Sequence, residues 1–187
     1  MKKTTLSIIL SILIGVLLYW VSIYNYNLYH IMIEIAISMI GILIFSVSLN
    51  ARTFNKVNLL VMLGPGFFVA SLITMLHSFT YYGMNIIPGY DANLPTQLWI
   101  ILSYILAFSF LITILLRENF PHYFGALISY SILGLIFIAL SFLKIFPDCF
   151  TPEVGLTFFK KISEYIIILI YLVSILLLSR AKEIDKV

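Results

Sequence analysis

Residues 29–49 read YHIMIEIAISMIGILIFSVSL. At a rise of 1.5 Å per residue such a run makes a helix of roughly 30 Å, the thickness of bilayer hydrocarbon. Its histidine and its one carboxylate, His30 and Glu34, sit near one end, so the remainder meets lipid without burying a charge. A transmembrane helix is the reading that satisfies this stretch. Five more runs have the same character, at roughly 6–24, 57–79, 96–116, 123–143 and 162–179. Of the 187 residues 62% are apolar and 10% charged, against about 25% charged in soluble domains. A soluble globular protein is excluded. The expectation is an all-α polytopic bundle of six membrane-spanning helices in a single domain, 1–187, with no segment outside the spans long enough for a soluble catalytic or DNA-reading domain. The net charge of +3 contains no basic run longer than two residues, which excludes a nucleic-acid patch.

Charge asymmetry gives an orientation. With the N-terminus cytoplasmic, Lys2, Lys3, Arg52, Lys56, Arg117, Arg180, Lys182 and Lys186 lie inside, and only Lys144, Lys160 and Lys161 outside. Both ends are then cytoplasmic (N-in, C-in). Tyr24, Tyr26, Tyr29, Tyr81, Tyr82, Tyr90 and Trp99 gather at the expected outer boundary, where amphipathic rings prefer to lie. The two longest connections, 80–95 and 144–161, also face out, while the inner turns 50–56 and 117–122 are short. Met1-Lys2-Lys3 before an apolar run resembles a signal peptide, but no small-x-small cleavage site follows, so a retained first helix is expected. Gly64-Pro65-Gly66 falls inside the third span. Pro65 removes a helical hydrogen bond there, and the glycines allow a neighbouring helix to approach, as packing or as a hinge.

Ionisable groups within a span cost at least about 2.5 kcal/mol at its centre, so each needs a reason. His30 and Glu34, four apart, share one helix face. His77 closes the next, antiparallel span at matching depth. The trio has ligand chemistry for zinc, copper or iron, and two histidines alone suit haem. The sequence equally allows a plain reading: His30 interfacial among tyrosines, His77 capping a helix end, Glu34 bonding a neighbouring helix. Met84 adds a thioether to a copper site or simply packs. In Asn93-Leu94-Pro95-Thr96-Gln97-Leu98-Trp99, Pro95 fixes the approach, Thr96 serves the first amides and Trp99 anchors at the headgroups. Alternatively the Pro88-Gly89-Tyr90 loop closes as a lid, bringing Asp91, Asn93 and Gln97 to a small ligand. Glu164 opens the sixth span on the same side. Cys149 has no partner for an internal disulfide and reads as an inert loop thiol rather than a redox sensor. No enzymatic constellation is present: no G-x-S-x-G and no Gly-rich phosphate loop beside a lysine.

These outer residues resemble those of the third family of membrane-associated sensor (MASE) domains. The resemblance is carried by Tyr29-His30-Ile31 with Glu34, Leu76-His77, Tyr81-Tyr82-Gly83-Met84, PGYDANLPTQLWI at 88–100, PDCF at 147–150 and GLTFFKKISEYII at 155–167. It covers nearly the whole chain. Thr74, Tyr82 and Ser103 stand where the family pattern carries charges. Such domains are membrane inputs of bacterial signalling proteins, so the resemblance implies a multi-pass protein of the bacterial inner membrane. Its partners would be the lipid bilayer and a cytoplasmic kinase or diguanylate-cyclase module, in the same chain or in trans. The family pattern continues past Arg180 to Val187 with about two more helices and an output domain. That implies either a truncated product or a stand-alone sensor whose uncovered faces associate with another chain, a second copy included.

The combined expectation is an input domain that senses a small ligand, metal or redox state at the outer face. Its candidate ligand residues are His30, Glu34, His77, Met84, Asp91, Asn93, Gln97, Trp99 and Glu164, with His30, Glu34 and His77 as the metal set. The alternative is a metal- or haem-binding electron-transfer subunit using the same histidines.

Overall fold

A computed structural model describes residues 2–52, 59–84, 86–116 and 122–184. Six helices follow in order: α1 Lys2–Tyr24, α2 Tyr26–Ala51, α3 Leu59–Thr80, α4 Asn93–Leu115, α5 Tyr123–Phe142 and α6 Phe158–Ile184. Each is long and apolar enough to cross a membrane. A two-stranded antiparallel hairpin, β1 Phe150–Thr151 with β2 Gly155–Leu156, interrupts the α5–α6 connection. Large apolar side chains line the outside of the bundle, among them Leu13, Ile40, Leu135 and Leu169. That is the arrangement a bilayer solvates. The turns expected at 50–56 and 117–122, with Lys56, Arg117 and Lys186 of the charge count, fall mainly or wholly outside the described residues.

Helix α3 is the most enclosed and forms the axis of the bundle. α2 and α4 pack on it from either side, α5 contacts both α3 and α4, α6 lies on α4, and α1 leans on α2. The apolar core is shared by Val69 and Ile73 of α3, Leu98, Ile101 and Ile105 of α4, and Tyr130 of α5. A second cluster joins Ile100 and Ala107 of α4 to Cys149 and Ile167.

Because lipid is as apolar as leucine, membrane helices associate through close packing and interhelical hydrogen bonds rather than hydrophobic burial. The buried residues of α2 are accordingly Glu34, Ser38, Gly41 and Ser48, a stripe at helical spacing facing α3. Pro65 lies inside α3 and has no N–H to give the carbonyl of Val61 four residues before. Ser48 of α2 supplies the missing donor: its hydroxyl bonds the Val61 oxygen at 2.7 Å and lies 3.0 Å from the Tyr123 hydroxyl. Gly64 permits this approach, since a Cβ there would stand 2.4 Å from that of Ser48. Likewise a Cβ on Gly66 would stand 2.5 Å from that of Ser109 on α4. The Gly-Pro-Gly segment is a packing device that seats α3 between two helices.

The helix bounds depart from the sequence expectation most at α6, which begins at Phe158 rather than at 162. Two lysines at 160–161 suggest a loop. Instead the Thr157 hydroxyl caps the helix by accepting from the Lys160 amide, and Lys160 pairs with Glu164 one turn on.

Candidate functional site

One end of the bundle carries the polar chemistry. Asn25 starts α2 there, its side-chain oxygen accepting from the Leu28 amide at 3.0 Å. This cap puts His30 and then Glu34 one and two turns into the helix. α3 runs the opposite way and ends at Thr80, whose hydroxyl bonds the His77 carbonyl. His77 thereby faces His30 across the α2–α3 seam, with ring centroids 5.5 Å apart and planes at 70°.

His30, Glu34 and His77 each offer a ligand atom, and the three atoms lie within 4.8 Å of one another. Glu34 and His77 are buried, at 5% and 6% exposure. Among the described residues only three buried side-chain polar atoms lack a hydrogen-bond partner, and two of them are here: Nε2 of His30 and Oε2 of Glu34. Buried polar atoms are nearly always paired. Two of these unpaired atoms meet at the α2–α3 seam. The third, the Thr113 hydroxyl, belongs to α4.

His77 is oriented by its other nitrogen. Nδ1 lies 2.8 Å from the carbonyl oxygen of Pro95 in the first turn of α4. A carbonyl only accepts, so Nδ1 carries the proton and Nε2 of the neutral ring keeps its lone pair. Trp99, one turn further along α4, stands 5.7 Å from the His77 ring. Tyr81 lies 3.9 Å from the His30 ring, and Tyr26 stacks on His30 from its own helix at 6.1 Å. Burial holds the Tyr81 phenol above its ordinary range, and a hydrogen bond with Tyr26 adds to the shift.

The remaining candidates lie apart from the trio. Asn93, Gln97 and Asp91 line a polar cavity of about 280 Å³ with Tyr90, Lys144 and Asp148. Asn93 there is a brace: its amide nitrogen donates to Asp148, and its oxygen accepts from the Cys149 and Phe150 amides. Gln97 donates to the Phe146 and Pro147 carbonyls. Both hold the 146–150 segment on α4. Tyr90 packs on Phe142 of α5, and with Ile87 it also lines a cavity beside Tyr81 and Tyr82 at the end of α3. Thr96 does not cap the first amides as expected; its hydroxyl donates back to the Ala92 carbonyl, and Asp91 accepts from the Asn93 amide instead. Met84 ends a turn after α3, its amide bonding the Tyr81 carbonyl. Glu164 is committed to Lys160. Cys149 is fully buried, which pushes its thiol up to about 12.

By sequence Tyr26 and Tyr81 are interfacial aromatics, and nothing there singles out the Pro95 carbonyl as the partner of His77. The helical register of Tyr26, His30 and Glu34 carries the first signal; nothing in residue type carries the second.

A comparison with known families matches residues 21–186 to the family described as MASE3, membrane-associated sensor domain. Most of α1 precedes the matched stretch. No curated protein and no solved structure matches the chain.

Proposed function

The chain belongs to the MASE3 family of membrane-associated sensor domains, and from that premise we propose that His30, Glu34 and His77 are its perceiving element, exposed to signals reaching the outer face of a bacterial inner membrane. The observation carrying this reading is the pair of orphaned polar atoms on His30 and Glu34, beside a histidine already oriented by a backbone carbonyl. A sensor needs a site whose interactions are completed only when the signal is present.

The route outward is short. A ligand drawn between α2 and α3 pulls on His77, which is tied to Pro95 of α4, and α4 is the helix on which α6 rests. A small displacement of α6 toward a cytoplasmic kinase or diguanylate-cyclase module, covalently joined or in trans, is the output. An electron-transfer subunit with haem between the two histidines finds less support, because the His30 and His77 ring centroids stand 5.5 Å apart and Tyr81 stands 3.9 Å from the His30 ring.

The test is genetic. A strain carrying H30Q and H77Q at the native locus should reproduce the transcriptional change of a deletion strain while the protein remains at its normal level in the membrane. A transcript profile matching the parent strain would contradict the assignment.

A further inference from the structure

Resting on the sensory reading of the cluster, we propose that His30, Glu34 and His77 bind one divalent first-row transition-metal ion, which bridges α2 to α3 and retains an open coordination position for an external ligand.

Geometry comes first. Donors on a tetrahedral or octahedral ion with bonds of about 2.0–2.2 Å stand roughly 3–3.5 Å apart. The three atoms here lie within 4.8 Å of one another. Closing that gap takes side-chain rotation rather than helix rearrangement. The donor set then selects the metal. Two imidazoles and one carboxylate suit zinc, ferrous iron, cobalt or nickel, whereas calcium and magnesium demand oxygen shells that this cluster does not offer.

Charge points the same way. Glu34 forms no ion pair among the described residues, and an isolated carboxylate inside a span is costly. A dication bound to it and to two neutral rings removes that cost. The supporting shell is also of the kind metal sites use: His77 gives its Nδ1–H to the Pro95 carbonyl, which fixes the tautomer and leaves Nε2 as the donor atom. Three protein donors leave a fourth position free, as in metal sites that engage exogenous ligands.

The experiment uses the full chain, purified in detergent, stripped with chelator and titrated with Co²⁺, whose d–d absorption reports coordination. One equivalent should bind with visible bands, be displaced by Zn²⁺ and be unaffected by millimolar Mg²⁺ or Ca²⁺. E34Q, H30Q and H77Q should each weaken Co²⁺ by about a hundredfold or more, since losing even a supporting group costs about 10–100-fold. E34Q keeps the side-chain shape, and a helical circular-dichroism spectrum confirms folding of each variant. Folded wild-type protein with no saturable Co²⁺ binding would overturn the metal assignment; if the H30Q/H77Q strain still behaved as a deletion, the sensory reading would stand without it. Binding that survives in all three variants would overturn the proposal by placing the ion elsewhere.

Discussion

Nδ1 of His77 donates to the carbonyl oxygen of Pro95 across 2.8 Å, linking the last turn of α3 to the first turn of α4. His30, on the other side of the seam, has an Nε2 with no partner among the described residues. Two histidines of one cluster thus stand in opposite conditions, one bonded to a backbone carbonyl and one with an unpaired ring nitrogen.

That contrast predicts opposite stability effects in chelator-treated protein. H77F leaves a buried carbonyl without its donor and should destabilise by about 1–2 kcal/mol. E34M removes an orphaned buried carboxylate and should stabilise by roughly 1 kcal/mol while abolishing metal binding. Unfolding in mixed detergent–SDS micelles reads both. Equal destabilisation by the two changes would mean that Glu34 is a structural group.

The seam itself depends on Ser48 and Gly64. S48A strips the donor from the Val61 carbonyl and should cost on the order of 0.5–1.5 kcal/mol, the range of interhelical hydrogen bonds in membranes. G64A forces a Cβ against Ser48, 2.4 Å from its Cβ, and should cost more, about 1–3 kcal/mol. The double variant should not recover, because S48A removes only the hydroxyl and keeps the offending Cβ. Full recovery in the same SDS titration would show that only the hydroxyl was in the way.

Much of this was legible in the chain. Six spans and their order follow from hydropathy, and the meeting of His30, Glu34 and His77 follows from a four-residue spacing plus the antiparallel run of consecutive spans. The stripe of Glu34, Ser38, Gly41 and Ser48 emerges only with α3 packed on α2. What escaped were relations between distant segments that residue type does not encode. Asn93 and Gln97 look like free ligands until the 146–150 segment occupies them. Lys160 and Lys161 look like a loop until Thr157 and Glu164 pull them into α6. The Gly-Pro-Gly segment reads as packing or as a hinge, and the bond from Ser48 to the carbonyl that Pro65 leaves unpaired, which residue type does not encode, makes it packing.

Cys149 should be inert in the native protein. Its thiol is fully buried and pushed up to about 12, so at pH 8 it remains the protonated, unreactive form. A maleimide at pH 8 should label the native chain slowly and the SDS-denatured chain at once. N93A, which frees Asp148 and the Cys149 and Phe150 amides together, should accelerate labelling at least tenfold. Unchanged protection in N93A would show that α4 packing alone shields the thiol.

The inertness of Cys149 makes topology easy to read. Glu153, exposed in the hairpin, and Arg52, exposed at the opposite end of the bundle, are sites for single introduced cysteines. With both termini cytoplasmic, E153C should react with a membrane-impermeant maleimide on intact spheroplasts and R52C only after permeabilisation. The reverse pattern would put the histidine cluster on the cytoplasmic side and require an internal signal.

The most direct test of the histidine cluster is X-ray absorption at the zinc edge on the full chain, stripped and reloaded with one equivalent of zinc in detergent. The account predicts two imidazole nitrogens and carboxylate or solvent oxygen at about 2.0–2.1 Å, with no sulfur. It also predicts loss of the imidazole scattering in the H30Q/H77Q double variant. A sulfur shell, or a spectrum unchanged in that variant, would contradict it.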